Sequence, residues 1–342
     1  MEPINQAERK TAITKFFIFL VLSVCLFVLP FFFYGLIPSN NTPAPKPEIV
    51  EPKTDPSQIA EVKQRLSTLA NRMKNINIMF LVDATEGMGQ HLPAVAQSAQ
   101  NVRQQYDAEV AAACYRDAAE GAWLYMTNTM VGDDPAPWIR SLDTKTKFDR
   151  DEPEALYYGL KNALESEHLT VGETNLLILV GDAGNHAQEP LTDVSPTEIV
   201  ELLKGKDCHF GAFQVQNPTS STSYAEFSTQ MMNDILEPVK ASFESGTFQE
   251  KDSLDRFGLY YQLKGETQNL LYAVNPSQSL TEDALTDKIN QFVDEVLAPL
   301  QQYTGQIEEL AAGNYSGSLE PELLNFLNQY QITEEELELL RQ

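Results

Sequence analysis

The sequence predicts an α/β chain. At its centre is a doubly wound, mostly parallel sheet with one antiparallel edge strand, preceded by a membrane-spanning helix and followed by a helical tail. Three observations carry this. Short aliphatic runs alternate with segments of helical periodicity, the signature of strand–helix units laid into a parallel sheet. The strongest runs are apolar throughout rather than alternating, as strands buried on both faces are. Three of them close on an aspartate at or just beyond the last apolar residue, at the strand ends where such sheets gather their ligands.

The clearest run is Ile76 to Gly89, I-N-I-M-F-L-V-D-A-T-E-G-M-G. It ends abruptly at Asp83, with Thr85 two residues on. Two oxygen ligands on one tight turn suit a hard cation such as Mg²⁺. Asp and Thr are also ordinary helix-capping residues, so this stretch alone leaves both readings open.

Composition limits the possibilities. The chain has 342 residues and 42% hydrophobic content, enough for one large or two small domains with a sizeable core. The formal net charge of -25 argues against nucleic acid, which needs clustered Lys and Arg. Cys25, Cys114 and Cys208 show neither zinc-site nor Cys-x-x-Cys spacing, and the four His do not pair at ligand spacing.

In chain order, residues 1–15 are polar, with Arg9, Lys10 and Lys15. Phe16 to Ile37 then carries no charge and is long enough to cross a bilayer core, for which about 20 residues suffice. The cations lie before it, which puts 1–15 in the cytoplasm and the main domain on the periplasmic or extracellular side. A cleaved signal peptide is the alternative; against it, the apolar run is long and no small-x-small site follows. Residues 38–56 are rich in Pro, Asn and Lys and read as an extended linker. Residues 57–303 hold the folded domain, and 304–342 form an acidic, helix-prone tail, docked or partner-binding.

Within the domain, Ile59, Val62, Leu66, Leu69 and Met73 mark a helix leading into the first strand. A helix over Met88 to Tyr106 follows, then a second strand over Ala108 to Tyr115. The connection to the next run, Ala122 to Met130, is too short for a parallel crossover, so that strand is antiparallel. After a polar loop, Asp151-Glu152-Pro153-Glu154 starts a helix running to about His168. A fourth strand spans Thr174 to Val180 and leads into Gly181-Asp182. Ser195-Pro196-Thr197-Glu198 reads as a capping box, and Cys208 to Val215 is a fifth strand. Ser223 to Ser245 is helical by pattern, Gly258 to Leu263 and Leu270 to Val274 are strands, and Thr281 to Tyr303 carries a clean apolar stripe. Thr333 and Glu336 form a second capping box.

Asp83, Asp117 and Asp182 therefore share one edge of the sheet, and Asp151 opens a helix after a long loop. The motifs D-A-T-E-G-M, C-Y-R-D, D-E-P-E-A-L and I-L-V-G-D-A-G-N-H, in that order over roughly residues 76–217, resemble von Willebrand factor A (vWA) domains. The resemblance is to the branch with D-x-T-G-S-M, Y-R-D and G-D-A-P-P-H. It implies a Rossmann-like sheet with a metal-ion-dependent adhesion site binding Mg²⁺ or another divalent cation. It assigns Asp83 and Thr85 as first-motif ligands, Asp182 as the later Asp and Asp151 as the loop ligand, with Asp117 nearby. This chain departs from the motif at Gly87, where a Ser oxygen is expected, and at Glu86, where Gly is usual; Glu86 could replace the lost ligand directly or through water. The implied strand order also separates Cys114 from Cys208 by three strand spacings, on the order of 14 Å, too far for a disulfide, so both are expected free and buried.

The resemblance implies a non-enzymatic recognition module. It would be held off a membrane by anchor and linker and would bind a protein partner whose carboxylate completes the metal shell. The alternative is a metal-free scaffold or assembly component of a secretion or envelope complex. A Mg²⁺-dependent hydrolase is disfavoured: there is no D-x-D pair, no phosphate-binding G-x-x-x-x-G-K-S/T loop and no G-x-S-x-G elbow.

Overall fold

A strand with no polar face must lie inside a sheet, and Ile76–Asp83 (β1) does, with all eight residues buried. The computed structural model describes residues 56–117, 121, 124–128, 133–145, 154–186, 194–215, 222–236, 238, 248–252, 258–263, 270–274, 281–315 and 317–340. By its contacts the chain divides into Met1–Lys53 and Thr54–Gln342, and all described residues belong to the second unit. Among the described residues no helix is long and apolar enough to cross a membrane; the predicted span at 16–37 and the linker before Pro56 lie outside them.

The elements in order are α1 (Pro56–Lys74), β1, α2 (Leu92–Gln105), β2 (Glu109–Tyr115), β3 (Tyr125–Thr127), α3 (Ala136–Arg140), α4 (Leu156–Glu165), β4 (Thr174–Gly181), α5 (Pro196–Gly205), β5 (Cys208–Gln214), α6 (Thr222–Gln230), β6 (Phe248–Asp252), β7 (Gly258–Leu263), β8 (Leu270–Val274), α7 (Glu282–Ala312), α8 (Pro321–Gln329) and α9 (Glu334–Leu339). A six-residue π-helical turn, Met231–Leu236, continues α6. The sheet order is β3-β2-β1-β4-β5-β8-β7-β6. β2, β1, β4, β5 and β8 are parallel, and β3 is the antiparallel edge strand that the short connection demands. Beyond β8 the sheet continues through an antiparallel pair, β7 and β6. β7 and β8 match the sequence expectation, whereas β6, F-Q-E-K-D, is too polar to announce itself as a strand.

Because side chains alternate along a strand, β1 and β4 feed two cores. Ile78, Phe80, Val82, Leu176, Ile178 and Val180 pack with α1, α2, α7 and the tail. Met79, Leu81, Leu177 and Leu179 pack with α4 and α5 and with Phe227 of α6. On the first face Phe213 meets Phe292 of α7 edge-on, with ring centroids 5.9 Å apart.

α7 runs on through residue 304 to Ala312, and the tail folds back onto the same core. Leu323, Phe326, Leu327, Ile332 and Leu337 are buried with Leu66 and Leu69 of α1. Phe326 lies between Tyr303 and Tyr330, at centroid distances of 5.0 and 5.1 Å. Glu336 pairs with Arg65 at 2.6 Å, and the Thr333 capping box is complete. At the other expected box, Ser195 accepts from the Thr197 amide at 3.3 Å, while Glu198 takes the Lys161 ammonium at 2.6 Å. Cys114 and Cys208 are free and buried, on strands separated by β1 and β4.

Candidate functional site

The site lies where the sheet order reverses. β1 has β2 on one side and β4 on the other, so all three C-terminal ends open into the crevice such a reversal creates. Asp83 ends β1 and pairs in register with Tyr115, the last residue of β2. Asp182 follows the last residue of β4.

Asp83 is fully buried. Its Oδ1 accepts from the Thr85 amide at 3.0 Å and from the Thr85 hydroxyl at 2.6 Å, which fixes the turn. Its Oδ2 is buried and has no hydrogen-bond partner. Burial raises the Asp83 pKa well above its ordinary value and the Asp182 charge raises it further, while the Thr85 hydrogen bonds oppose this. Two buried carboxylates thus face each other, and the hydrogen bonds on one of them do not offset the cost. Tyr115 is also fully buried, and its hydroxyl has no hydrogen-bond partner. Burial raises its pKa first, followed by the carboxylates of Asp83, Glu154 and Asp182, so this hydroxyl sits amid three acids.

The structure brings Asp83, Thr85 and Asp182 together and buries Asp117 two residues past β2. Glu86 is exposed, and Asp151 lies outside the described residues. Gly87 has φ 112° and ψ -34°, a backbone that L side chains rarely adopt. A serine there would be strained, so the turn's shape accounts for the glycine where the resemblance implies an oxygen ligand. Tyr115 and Glu154 were within reach of sequence reasoning, since both stand in the quoted motifs. Their convergence was not, because it depends on how β2 and the start of α4 dock.

Among the described residues no group of three or more His, Cys, Asp or Glu could hold a metal ion. Of the residues assigned as ligands, the described ones at the crevice are the carboxylates of Asp83 and Asp182 and the hydroxyl of Thr85. That set fits Mg²⁺, which is commonly held through one or two carboxylates with its waters retained.

A family profile described as the TssR protein VWA domain matches residues 61–244, more than half of the chain. The chain belongs to this VWA family. No curated protein matches it. Solved structures similar to this VWA chain include the pilus adhesin SpaC of Lactobacillus rhamnosus GG in its open conformation, at 10% identity and TM-score 0.40, covering 66% of this chain and 30% of that one. A second form of the same adhesin is 11% identical with TM-score 0.32, covering 61% and 38%. An aerotolerance-related membrane protein of Bacteroides fragilis, carrying multiple mutations to serine, is 10% identical with TM-score 0.31, covering 68% of this chain and all of that one. The VWA chain therefore spans about a third of the adhesin's length.

Proposed function

We propose that this chain is a membrane-anchored VWA module that recognises a protein partner, on the non-cytoplasmic side, with the help of a divalent cation. The observation that carries the reading is Asp83, which is fully buried against Asp182 with one carboxylate oxygen unpartnered. Asp83, Thr85 and Asp182 would hold the cation, with Asp117 and Asp151 as further donors and Glu86 at the rim of the turn. When bound, the cation would neutralise the two acids and offer a coordination position to a partner's carboxylate. The uncharged run 16–37 and the cations before it support the anchor and its orientation. No catalytic role is assigned to any of these residues.

The test is thermal melting of the full chain in detergent, first in EDTA and then with Mg²⁺ or Mn²⁺. A ligand that binds only the folded state raises Tm, by about 2.7 kcal/mol of stability at a hundredfold excess over Kd. The expected result is a rise in wild type that Asp83→Ala abolishes. Equal melting with and without cation would instead leave a metal-free scaffold, the reading that Gly87 favours.

A further inference from the structure

The loop that carries Asp182 is held from outside the sheet. Gly181 ends β4, and residues 182–186 lead away from it. α6 and its π-helical continuation lie against this loop so closely that a Cβ on Gly184 would stand 2.7 Å from the Glu226 Cβ and 3.0 Å from the Phe227 amide nitrogen. The contact is specific. The Gln230 carboxamide accepts the Asn185 amide at 2.6 Å and donates to the Asn185 carbonyl at 3.3 Å, so one side chain grips both polar groups of one backbone residue. Asn185 passes the constraint on. Its Oδ1 accepts the Tyr157 amide at 2.8 Å, and its Nδ2 donates to the His186 carbonyl at 2.8 Å. Glu154 and the loop exchange two backbone hydrogen bonds, with Gly184 and His186, both 2.8 Å. Four residues beyond Gln230, Asp234 accepts the Tyr157 hydroxyl at 2.6 Å, closing the ring.

We infer that Gln230 is a positioning residue for the cation site: its carboxamide holds Asn185, and through it the short loop that sets Asp182 against Asp83. The inference rests on the proposed cation reading. A ligand carboxylate needs its carrier held still, and groups that orient ligands in this way commonly contribute 10–100-fold to metal affinity. Gln230 hydrogen-bonds to the Asn185 backbone and to none of the assigned ligands, so its effect is separable from theirs.

The test pairs two readouts on the full chain in detergent. The first is amide hydrogen exchange in EDTA, and the second is Mn²⁺ affinity by titration. Gln230→Met keeps the length of the side chain and removes both hydrogen bonds. It should speed exchange at Asn185, weaken Mn²⁺ binding roughly 10-fold and lower the Tm in EDTA modestly, because two backbone groups of Asn185 lose their partner. Tyr157→Phe, which cuts only the bond to Asp234, should weaken Mn²⁺ binding in the same direction by less. Unchanged exchange at Asn185 would show that the grip is absent and would overturn the inference whatever the metal does. Faster exchange with an unchanged Mn²⁺ affinity would overturn the positioning role while leaving the cation reading intact. A wild type that takes up no Mn²⁺ would overturn both.

Discussion

The two ends of the central strands handle buried polar groups in opposite ways. At the N-terminal end, Arg72 of α1 pairs with Asp207, which precedes β5. The Thr174 hydroxyl donates to the Arg72 carbonyl at 2.9 Å. The Asn175 side chain donates through Nδ2 to the carbonyls of Thr170 and Lys206, both at 2.8 Å, and Asn77 Nδ2 donates to the Glu173 carboxylate at 2.7 Å. At the C-terminal end, Asp83 faces Asp182 with an oxygen unpartnered, and the Tyr115 hydroxyl is buried among acids. Buried polar groups are normally satisfied, so the contrast separates an end that is paired within the fold from the end at which we propose a cation binds. Even the paired end is not free of cost: burial raises the Asp207 pKa more than Arg72 lowers it. Such a pair contributes little net stability yet is costly to break.

The largest stability effect should therefore come from the paired end. Arg72→Met strands Asp207 and should cost about 3 kcal/mol, measured by denaturant unfolding, with the Mn²⁺ response intact. If that response disappeared as well, the two ends would not be separable.

Next in size is an acid transition at the same end. His209 is buried and neutral, its pKa pushed down to about 3 by desolvation and then by the Arg72 charge, from an ordinary 6.5. The unfolded chain binds this proton at higher pH than the folded one, so stability is fully present above about pH 6.5 and is lost as the pH falls toward the folded value. Melting curves of His209→Gln should fall less steeply with acid than those of wild type.

Asp83→Asn should act in the opposite direction, at the C-terminal end. Asp83's folded pKa is raised, so its ionised form destabilises the fold at neutral pH, and the stability that protonation confers is lost as pH rises through that folded value. The amide keeps an oxygen for Thr85. In EDTA at neutral pH the variant should melt higher than wild type, by about 1 kcal/mol of stability, while its cation response is gone. A lower Tm in EDTA would mean that Asp83 is already compensated.

The smallest effect belongs to the half-buried pairing on the tail. Glu336 pays some desolvation, but the Thr333 amide and Arg65 outweigh it and lower its pKa. Its contribution is present above its unfolded value of 4.5 and fades as pH falls through the folded value. Glu336→Gln should cost no more than about 1 kcal/mol at neutral pH. A larger loss would make the tail a main support of α1.

The fold was legible where burial is two-sided. β1 and β4 are continuous apolar runs because helices cover both faces, and Tyr125–Thr127 had to be antiparallel because its connection is short. Ala136–Arg140 was missed because five residues in a polar loop carry no periodicity. Phe248–Asp252 was missed because its charged residues hide a strand at the sheet edge. At the site, Asp83, Thr85 and Asp182 could be read from strand ends and motif order. The roles of Tyr115, Glu154 and Gln230 could not: the first two meet across elements, and Gln230 acts on a backbone 45 residues away.

The proposed function requires that Asp83 hold a cation at the C-terminal end of the sheet. The most direct measurement is a Mn²⁺ titration of the full chain after removal of EDTA, with Asp83→Asn alongside. Saturable binding is expected in wild type and none in the variant. No binding in wild type, or equal binding in both, would contradict it.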